Sequence, residues 1–510
     1  MLKLFAHSGI IWAFLITLAP AVYGAQVQSQ WVNFDPHGRL VYRALPKGDH
    51  IMDFSYAGYG GGGVAIPDVP VKITVNPGGD DARQIQAAID QVSQLNLVDG
   101  HRGTVLLSSG TFNCDQPLTV KASGIVLRGS DGTVLNLTGT PHLAINVSGE
   151  RKTATEGQRT VITDDYVPSG SDSFVVASAA GWQVGDTIQI ARPVTSAWVS
   201  FMGMNTLVRD GKAEHWLSGT LETERVISQI SGNRITVSVP LSDDYDSRYL
   251  KPPGSTAVKV KISGLISEVG IEHLRILSPP QPIEITQPQF KALQFVDAQD
   301  CWARDLDIHD TIGSVHVGEG ASRITIARVT ITHSVATQGA ALQSDFGASG
   351  TQALFDRCSS TGNHLFYFAT FGRTQGPNVL LNCVFHGEGH VQPHMRWSTG
   401  LLVDGCQAPT GGIDLMNRGI MGSGHGWTMG WGVAWNCQAK SYVIQQPPGS
   451  TNWAIGCRGT FELEGMPPVK DPKLPSGIID SPNSPVAPQS LYLEQLRERL
   501  GDEAVRNIGY

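Results

Sequence analysis

The feature that most constrains the fold of this chain is a repeat of short apolar runs in its second half, from about residue 260 onward. Cys383 follows Cys358 at a shift of 25, Cys406 follows Cys383 at a shift of 23, and each cysteine ends an apolar run. Segments 303–309 and 327–333 align at a shift of 24, which places His309 and His333 at one offset. This period, with β-branched triplets and polar corners, is typical of one coil of a parallel β-helix. The leucine spacing of leucine-rich repeats is missing.

The composition fits stacked coils and argues against other classes of protein. Glycine accounts for 58 of the 510 residues, and only 16% of residues are charged. Coils bend at Gly or Asn corners and bury few charges. An apolar fraction of 41% is too high for a disordered chain. The net charge of −8 and the lack of a Lys- or Arg-rich tract argue against binding to nucleic acid.

The seven cysteines do not suggest a disulfide framework or a structural zinc site. Their number is odd, they are spread over 510 residues, and no CxxC pair occurs. Most of them end short apolar runs at similar offsets. We therefore expect a buried stack of free thiols.

The chain divides into four predicted regions. Residues 1–24 read as a cleavable signal peptide, because a short apolar run is followed by small residues before Ala25. That run is shorter than the roughly 20 residues of a membrane-spanning helix. We therefore expect a secreted or periplasmic protein with no membrane span. Residues 25–79 form an N-terminal extension, 80–465 the parallel β-helix, and 466–510 a tail.

Two helices and an insert complete the predicted organisation. Residues 80–96 have apolar side chains at helical spacing, with Asp80 and Asp81 as N-cap candidates. Residues of about 160–250 interrupt the coils and indicate an inserted antiparallel β-module. The tail begins with a proline-rich strap and ends in an amphipathic helix over 490–500.

The opening of the coils resembles that of the pectate-lyase-like superfamily of right-handed parallel β-helices. The motifs that carry the resemblance are GGDD at 78–81, IQAAID at 85–90, GTVLL at 103–107, GTF at 110–112 and IVLRG at 125–129. The chain departs from the family at Ser108-Ser109 and in a longer link after the helix. The resemblance implies an all-β, carbohydrate-active protein, but the superfamily holds lyases, hydrolases, epimerases and non-catalytic tail fibres. Neither the paired aspartates of its polygalacturonases nor the calcium-binding aspartates of its commonest pectate lyases are matched.

Stacking of the coils predicts a polar patch in the later repeats. Arg396 and Arg418 are related by a shift of 22, as are His364 and His386, so each pair is expected to share an edge. The candidate catalytic residues are His364, Tyr367, His394, Arg396, Arg418 and His425. The candidate substrate-binding residues are His333, Trp397, Asp414, Asn417 and Trp427.

Base and cation chemistry of this kind favours β-elimination from a uronic-acid-containing polysaccharide. The C5 proton becomes acidic only when cations or hydrogen-bond donors neutralise the neighbouring carboxylate, a role that suits Arg396, Arg418 and Asn417. His394 or His364 could act as the base. Tyr367 or His425 could act as the acid for the leaving oxygen.

Two other functions remain open from the sequence. A glycoside hydrolase needs two flanking carboxylates, for which Asp345, Glu388, Asp404 and Asp414 are available. A non-catalytic glycan-binding β-helix needs no such pair of carboxylates. The expected partner is an acidic polysaccharide, and the oligomeric state is left open. No cofactor is predicted, with a divalent metal on His386, His390 and His394 as the alternative, although Gly387, Gly389 and Pro393 argue against the helix that would align them.

Overall fold

The chain winds into a right-handed parallel β-helix whose coils build two long parallel sheets. A computed structural model describes residues 27–462 and 474–510. The predicted signal peptide and residues 466–473 of the predicted strap lie outside these residues. No helix among the described residues is long and apolar enough to cross a membrane.

We call the 14-stranded sheet sheet A and the 17-stranded sheet sheet B. The strands of sheet A are Val71–Val75, Gly103–Leu107, Ile125–Gly129, Ile266–Ser267, Gly270–Glu272, Ala298–Arg304, Ser322–Ala327, Leu354–Asp356, Gln375–Leu381, Ser398–Asp404, Met429–Gly430, Val433–Trp435, Trp453–Ile455 and Ile478–Asp480.

Sheet B contains two columns of strands, because a coil turns once more within it. The first column holds Gly110–Cys114, Thr133–Leu137, Arg275–Leu277, Asp307–His309, Thr330–Thr332, Ser359–Thr361 and Val384–His386. The second column holds Leu118–Val120, Leu143–Ser148, Lys291–Val296, Val315–Val317, Gln343–Ala348, Leu365–Thr370 and His390–Val391. Three later strands run through both columns: Gln407–Leu415, Gln438–Ile444 and Arg458–Glu462.

A single left-handed residue makes the corner between sheet A and the first column. Its φ is 50° at both Arg357 and Asn382 and 49° at Asn436, whereas Gly405 and Gly456 take the same place in other coils. Glycine and asparagine tolerate this conformation best, which explains part of the glycine content. Arg357 takes the same left-handed conformation, so the corner also forms at a residue that is neither glycine nor asparagine.

The residue after this corner is the stacked cysteine. All seven cysteines are free and buried, as predicted, but the stack at this corner holds only five of them: Cys358, Cys383, Cys406, Cys437 and Cys457. The Cys358 thiol donates to the Ile326 carbonyl at 3.3 Å, and that of Cys383 donates to the Phe355 carbonyl at 3.3 Å. Each thiol therefore satisfies a carbonyl group of the preceding coil inside an otherwise apolar core.

The coils that contain His309 and His333 are related by a shift of 23, not by the predicted 24. His309 pairs with Thr332, and Ile308 pairs with Ile331. A slip of one residue turns a side chain to the opposite face of a strand or moves it past the strand end. His309 is thus an outer-face residue beside Asp307, while His333 begins the next corner. The prediction that the two share an offset is wrong.

The N-terminal end of the coils is closed by the helix Asp81–Ser93. Its apolar side, including Ile85, Ile89 and Val92, is buried against the first strands of both sheets. Asp80 makes no capping hydrogen bond. Asp81 is the residue that ties down this end, because its carboxylate accepts from the Gly78 and Asn113 amides at 2.7 Å each.

The insert leaves the coils after the second-column strand Leu143–Ser148. It is a six-stranded antiparallel sheet whose strands, in spatial order, are Lys152–Val161, Thr256–Ser263, Thr187–Pro193, Thr220–Ser231, Arg234–Val237 and Ser173–Val175. It thus extends beyond the expected 160–250 at both ends. The short helices Ser196–Phe201 and Ser247–Leu250 and the strand pairs Tyr166–Val167 with Tyr245–Asp246 and Val208–Arg209 with Lys212–Ala213 complete it.

The described N-terminal segment, from Val27 onward, and the C-terminal segment cover the outside of sheet A. The N-terminal part holds the hairpin Val32–Phe34 with Leu40–Tyr42 and the 3₁₀ turn Tyr59–Gly61, and Val27–Gln28 pairs with Val486–Ala487. The C-terminal part ends in the helices Leu491–Leu500 and Asp502–Asn507. Ser490 caps the first of these helices by accepting from the Leu493 amide. Both ends pack on outward-facing tryptophans of sheet A, so the predicted C-terminal helix does dock on the coils.

Candidate functional site

The turns that follow two second-column strands hold a compact group of basic side chains. We call His394, Arg396, Arg418 and His425 the histidine–arginine cluster. His394 and Arg396 follow the strand His390–Val391, and Arg418 follows Gln407–Leu415 at the same offset. The Arg396 amide donates to the His425 carbonyl at 2.9 Å, which fixes the turns side by side.

The two imidazoles of the cluster are in direct contact. The ring centroids of His394 and His425 are 4.7 Å apart, and the rings are nearly perpendicular. His394 is half-buried, whereas His425 is only 8% exposed. The ring of His425 is packed so tightly against Gly422 that a Cβ there would lie 2.1 Å from Nε2. Glycine at 422, with φ of 58°, is therefore required for this arrangement.

The two arginines are held by the same turns. Arg418 is 5% exposed, donates from Nη1 to the His394 carbonyl at 2.8 Å and lies over the Phe366 ring. Arg396 donates from Nη2 to the Ser423 carbonyl and hydroxyl. Both guanidinium groups thus contact the backbone that positions the histidines.

Burial and the neighbouring arginines keep both histidines neutral. Burial, followed by the charges of Arg418 and Arg396, lowers the pKa of His394 to about 4. Burial, followed by His394 and the arginines, lowers the pKa of His425 to about 3. Burial also lowers the pKa of Arg418 to about 10, so it remains a cation near neutral pH. The cluster therefore combines neutral bases with fixed positive charge.

Three neighbours of the cluster were not predicted from the sequence. Phe366 and Phe371 flank His394, with ring centroids 6.3 and 5.6 Å away. His316, one of the outward-facing residues of an earlier coil, contacts Phe371 at 5.0 Å and the Ser349 hydroxyl at 3.2 Å. Burial and Lys291 lower the pKa of His316 to about 4. Its alternation with the apolar Val315 and Val317 is the signal that could have placed it on this face.

Asp414 does not face a substrate. It is fully buried, and its Oδ2 accepts from Gln392 at 2.7 Å and contacts His390 Nδ1 at 2.8 Å. Asp414 and its hydrogen bond raise the pKa of His390, against the opposing effect of burial. The predicted substrate-binding aspartate is instead a buried counter-charge behind the cluster.

Tyr367 lies inside the coils. Its ring is fully buried and stacks on Phe385. Its hydroxyl donates to the Gly387 carbonyl at 2.6 Å and accepts from the Gly389 amide at 2.9 Å. The candidate acid is therefore out of reach of a bound polysaccharide.

His333 and His364 are both at the opposite end of the second-column strands from the cluster. His333 Nε2 contacts Asp345 Oδ1 at 2.8 Å, and both side chains are buried. His364 contacts the Thr337 hydroxyl at 3.1 Å. The strand Leu365–Thr370 separates them from His394. The structure thus does not bring these two predicted site residues into the cluster.

The two predicted substrate-binding tryptophans hold the insert on the coils instead. Trp397 and Trp427 are each 2% exposed. Trp397 donates to Asp243 Oδ2 at 2.9 Å, and Trp427 donates to the Met202 carbonyl at 3.1 Å. Asn417 is also buried, and its Oδ1 accepts from the Gly419 amide at 2.7 Å, so it shapes the turn beside Arg418.

Metal ligands are not grouped in the described ranges. No set of three His, Cys, Asp or Glu residues within 27–462 and 474–510 is placed to hold a metal ion. His390 of the alternative metal set contacts Asp414. The fold therefore does not gather His386, His390 and His394 around one point.

The buried neutral histidines predict a loss of stability in acid. The unfolded chain takes up protons on His394 and His425 below about pH 6.5, whereas the folded chain does so only near their lowered pKa values. Between pH 6.5 and 5 this should cost about 2 kcal/mol of unfolding free energy for one such histidine. The double variant His394→Gln/His425→Gln should lose less stability than the wild type over this range in chemical denaturation. Equal losses would show that the two imidazoles are not held neutral.

No family model and no curated protein matches the chain. A tailspike of Acinetobacter baumannii bacteriophage AP22, solved in complex with a capsular saccharide, has a TM-score of 0.33 and 14% identity over 76% of this chain and 56% of its own. A mutant tailspike protein of E. coli bacteriophage HK620, in complex with a pentasaccharide, has a TM-score of 0.40 and 10% identity over 76% and 55%.

A bacterial enzyme is also among the similar structures. The exopolygalacturonase of Thermotoga maritima has a TM-score of 0.34 and 9% identity over 79% of this chain and 86% of its own. The chain spans little more than half the length of the two tailspikes. At these identities and TM-scores, the matches do not assign a family or an activity to the chain.

Proposed function

We propose that the protein is an exported polysaccharide lyase that cleaves a uronic-acid-containing polymer at the histidine–arginine cluster. The observation that carries this proposal is the contact of two neutral imidazoles beside two guanidinium groups. Elimination needs this combination, because a base must remove a proton from a carbon that is acidic only while its carboxylate is neutralised.

The reaction can be written for the residues of the cluster. Arg396 binds the uronate carboxylate, the buried Arg418 adds positive charge behind it, and His394, the more accessible imidazole, takes the proton from C5. The electron pair of the C5–H bond forms the C4=C5 double bond, and the C4–O bond breaks with its pair on the leaving oxygen. Since Tyr367 is inside the coils, the proton on His394 is the one that passes to that oxygen.

A bound carboxylate would also raise the pKa of the catalytic base. The pKa of His394 is lowered partly by the charges of Arg418 and Arg396. An anion bound at Arg396 offsets the repulsion of the imidazolium by the two guanidinium groups, so the pKa of His394 rises towards neutrality once substrate is bound. A base whose pKa lies nearer the working pH transfers protons more effectively.

The carboxylates that a hydrolase could use are mostly unavailable. Asp345, Asp404 and Asp414 are each fully buried. Asp404 accepts from the Ser490 hydroxyl and the Tyr492 amide, so it anchors the C-terminal helix. Glu388 is exposed but has none of the other three beside it at the surface. This favours the lyase over hydrolysis by these residues.

A panel of uronate polymers separates the three functions. A lyase should release products with the ultraviolet absorbance of an unsaturated uronate. New reducing ends without that absorbance would indicate a hydrolase instead. Retention on immobilised polymer without either product would indicate a binding protein, and both of these outcomes would overturn the proposal.

Arg396→Gln should lower kcat/KM on the responsive polymer by about 10²–10³, because it removes one donor to the developing charge. The melting temperature should change little, since the guanidinium is half-buried and bonded only to Ser423. Arg458→Gln is the matched control, because Arg458 is an exposed arginine at the start of a late coil. Unchanged kinetics for Arg396→Gln would remove it from the reaction.

A further inference from the structure

A concave site separate from the histidine–arginine cluster lies between the insert and the coils. It is a cleft of about 800 Å³, within the range of about 300–1,000 Å³ that is usual for small-molecule sites. One wall is formed by the turns that join the second column to sheet A, at 319–323, 349–352 and 372–375. The facing wall is the insert, with Thr153, Gln189 and the strand segment 220–226.

The walls of the cleft are rich in hydrogen-bonding groups. Hydroxyl and amide side chains lie on both walls, among them Thr153, Gln189 and Thr220 of the insert and Ser322, Thr351 and Gln375 of the coils. Three buried atoms of the lining residues have no hydrogen-bond partner among the described residues: Thr223 Oγ1, Arg225 Nε and Thr351 Oγ1. Thr223 and Arg225 are each only 4% exposed. These atoms lie beneath the surface of the cleft, whereas the hydroxyl and amide groups on its two walls suit a ligand with many hydroxyl groups.

The five arginines that line the cleft all donate hydrogen bonds to protein groups, Arg373 to the Ser218 carbonyl at 2.7 Å. Arg151 pairs with Glu224, and Arg323 binds both oxygens of Asp300. Arg499 is held by Ser55 and by the Gly61 carbonyl. Arg225 donates to the Pro240 and Gly376 carbonyls.

Two exposed carboxylates also line the cleft, Glu222 and Glu319. An anionic ligand would meet these carboxylates and find the arginines already engaged. The cleft therefore favours a neutral polar ligand, in contrast to the histidine–arginine cluster. The cleft is connected to the histidine–arginine cluster through Arg373, whose amide donates to the Arg396 carbonyl at 2.9 Å.

We infer that this cleft is a second carbohydrate site, which binds neutral sugar residues of a polysaccharide chain. That the chain is the same one whose uronate occupies the cluster rests on the proposed function. The substrate class is then a mixed polymer, with neutral sugars beside the acidic one. Binding of neutral sugar in the cleft does not require any activity of the cluster.

Calorimetry with neutral hexasaccharides of mannan, xylan, galactan and β-glucan tests the inference on the full chain. At least one should bind, with a Kd that changes little with salt because neutral sugars carry no charge to screen. Thr153→Trp should weaken this binding at least about tenfold by filling the cleft. Thr155→Trp is the matched control, because it is exposed two residues further along the same strand but outside the cleft, and it should bind as the wild type does.

Three results would overturn the inference, and a fourth would leave it standing. The absence of binding to all four hexasaccharides, or an equal loss in Thr155→Trp, would overturn the inference, as would tighter binding of acidic oligosaccharides that Thr153→Trp abolishes. A protein that binds a neutral hexasaccharide through the cleft but acts on no uronate polymer would leave the inference standing and overturn the proposed function.

Discussion

His394→Gln is expected to lower kcat on a uronate polymer by about 10²–10⁴, the usual contribution of a positioned general base. Glutamine keeps the approximate size of the side chain but cannot accept the C5 proton. The pKa of about 4 in the free protein predicts that kcat/KM stays high down to mildly acidic pH. The acidic limb of kcat should lie at higher pH than that of kcat/KM, because the bound carboxylate raises the pKa of the base.

The control for this variant is His309→Gln. His309 is an outward-facing histidine of the first column, paired with Asp307 at 2.9 Å, and it lies away from the cluster. Its substitution should leave kcat unchanged. Wild-type kcat in His394→Gln, measured by steady-state kinetics at several pH values, would exclude this imidazole as the base. A pH profile that shifts without a loss of kcat would assign it a positioning role.

The coils were predictable because their spacing repeats. Corner residues recur from coil to coil and stacked cysteines recur in five successive coils, so the solenoid and the shared offset of Arg396 and Arg418 follow from the spacing alone. His309 and His333 show the limit of this reasoning. Their segments look alike at a shift of 24, but the hydrogen-bonded pairing uses 23, and one residue decides which face a side chain takes.

The tryptophans and Tyr367 show why burial could not be predicted from the same pattern. Trp397 and Trp427 stand next to the basic residues in the sequence, but the insert docks on them through Trp198 and Trp216. This contact joins segments that are far apart in the chain, so the local spacing of residues does not predict it. Tyr367 carries a hydroxyl, yet carbonyl and amide groups of the next coil satisfy it inside the core.

Asp345→Ala is expected to cost more stability than any of the other single substitutions proposed above. Asp345 is a fully buried carboxylate inside the coils, where Oδ1 contacts His333 and Oδ2 accepts from the Ser360 hydroxyl. Its removal leaves His333 and Ser360 buried without their partner, which should cost about 3–5 kcal/mol in unfolding free energy. Chemical denaturation measures this loss, and hydrogen exchange should place it in the coils that hold residues 331–367.

The pH dependence of that loss identifies its cause. Asp345 raises the pKa of His333 against the effect of burial, so the charged pair stabilises the fold fully below about pH 6.5 and loses its effect as pH rises through the raised pKa. In Asp345→Ala this decline above pH 6.5 should disappear.

Asp307→Asn, which breaks exposed pairs with Arg275 and His309, should cost no more than about 1 kcal/mol. A loss in Asp345→Ala as small as that of Asp307→Asn would contradict a buried ion pair as a support of the coils. If the triple variant His333→Leu/Asp345→Leu/Ser360→Ala recovers stability, the cost of Asp345→Ala comes from the stranded partners rather than from the loss of attraction.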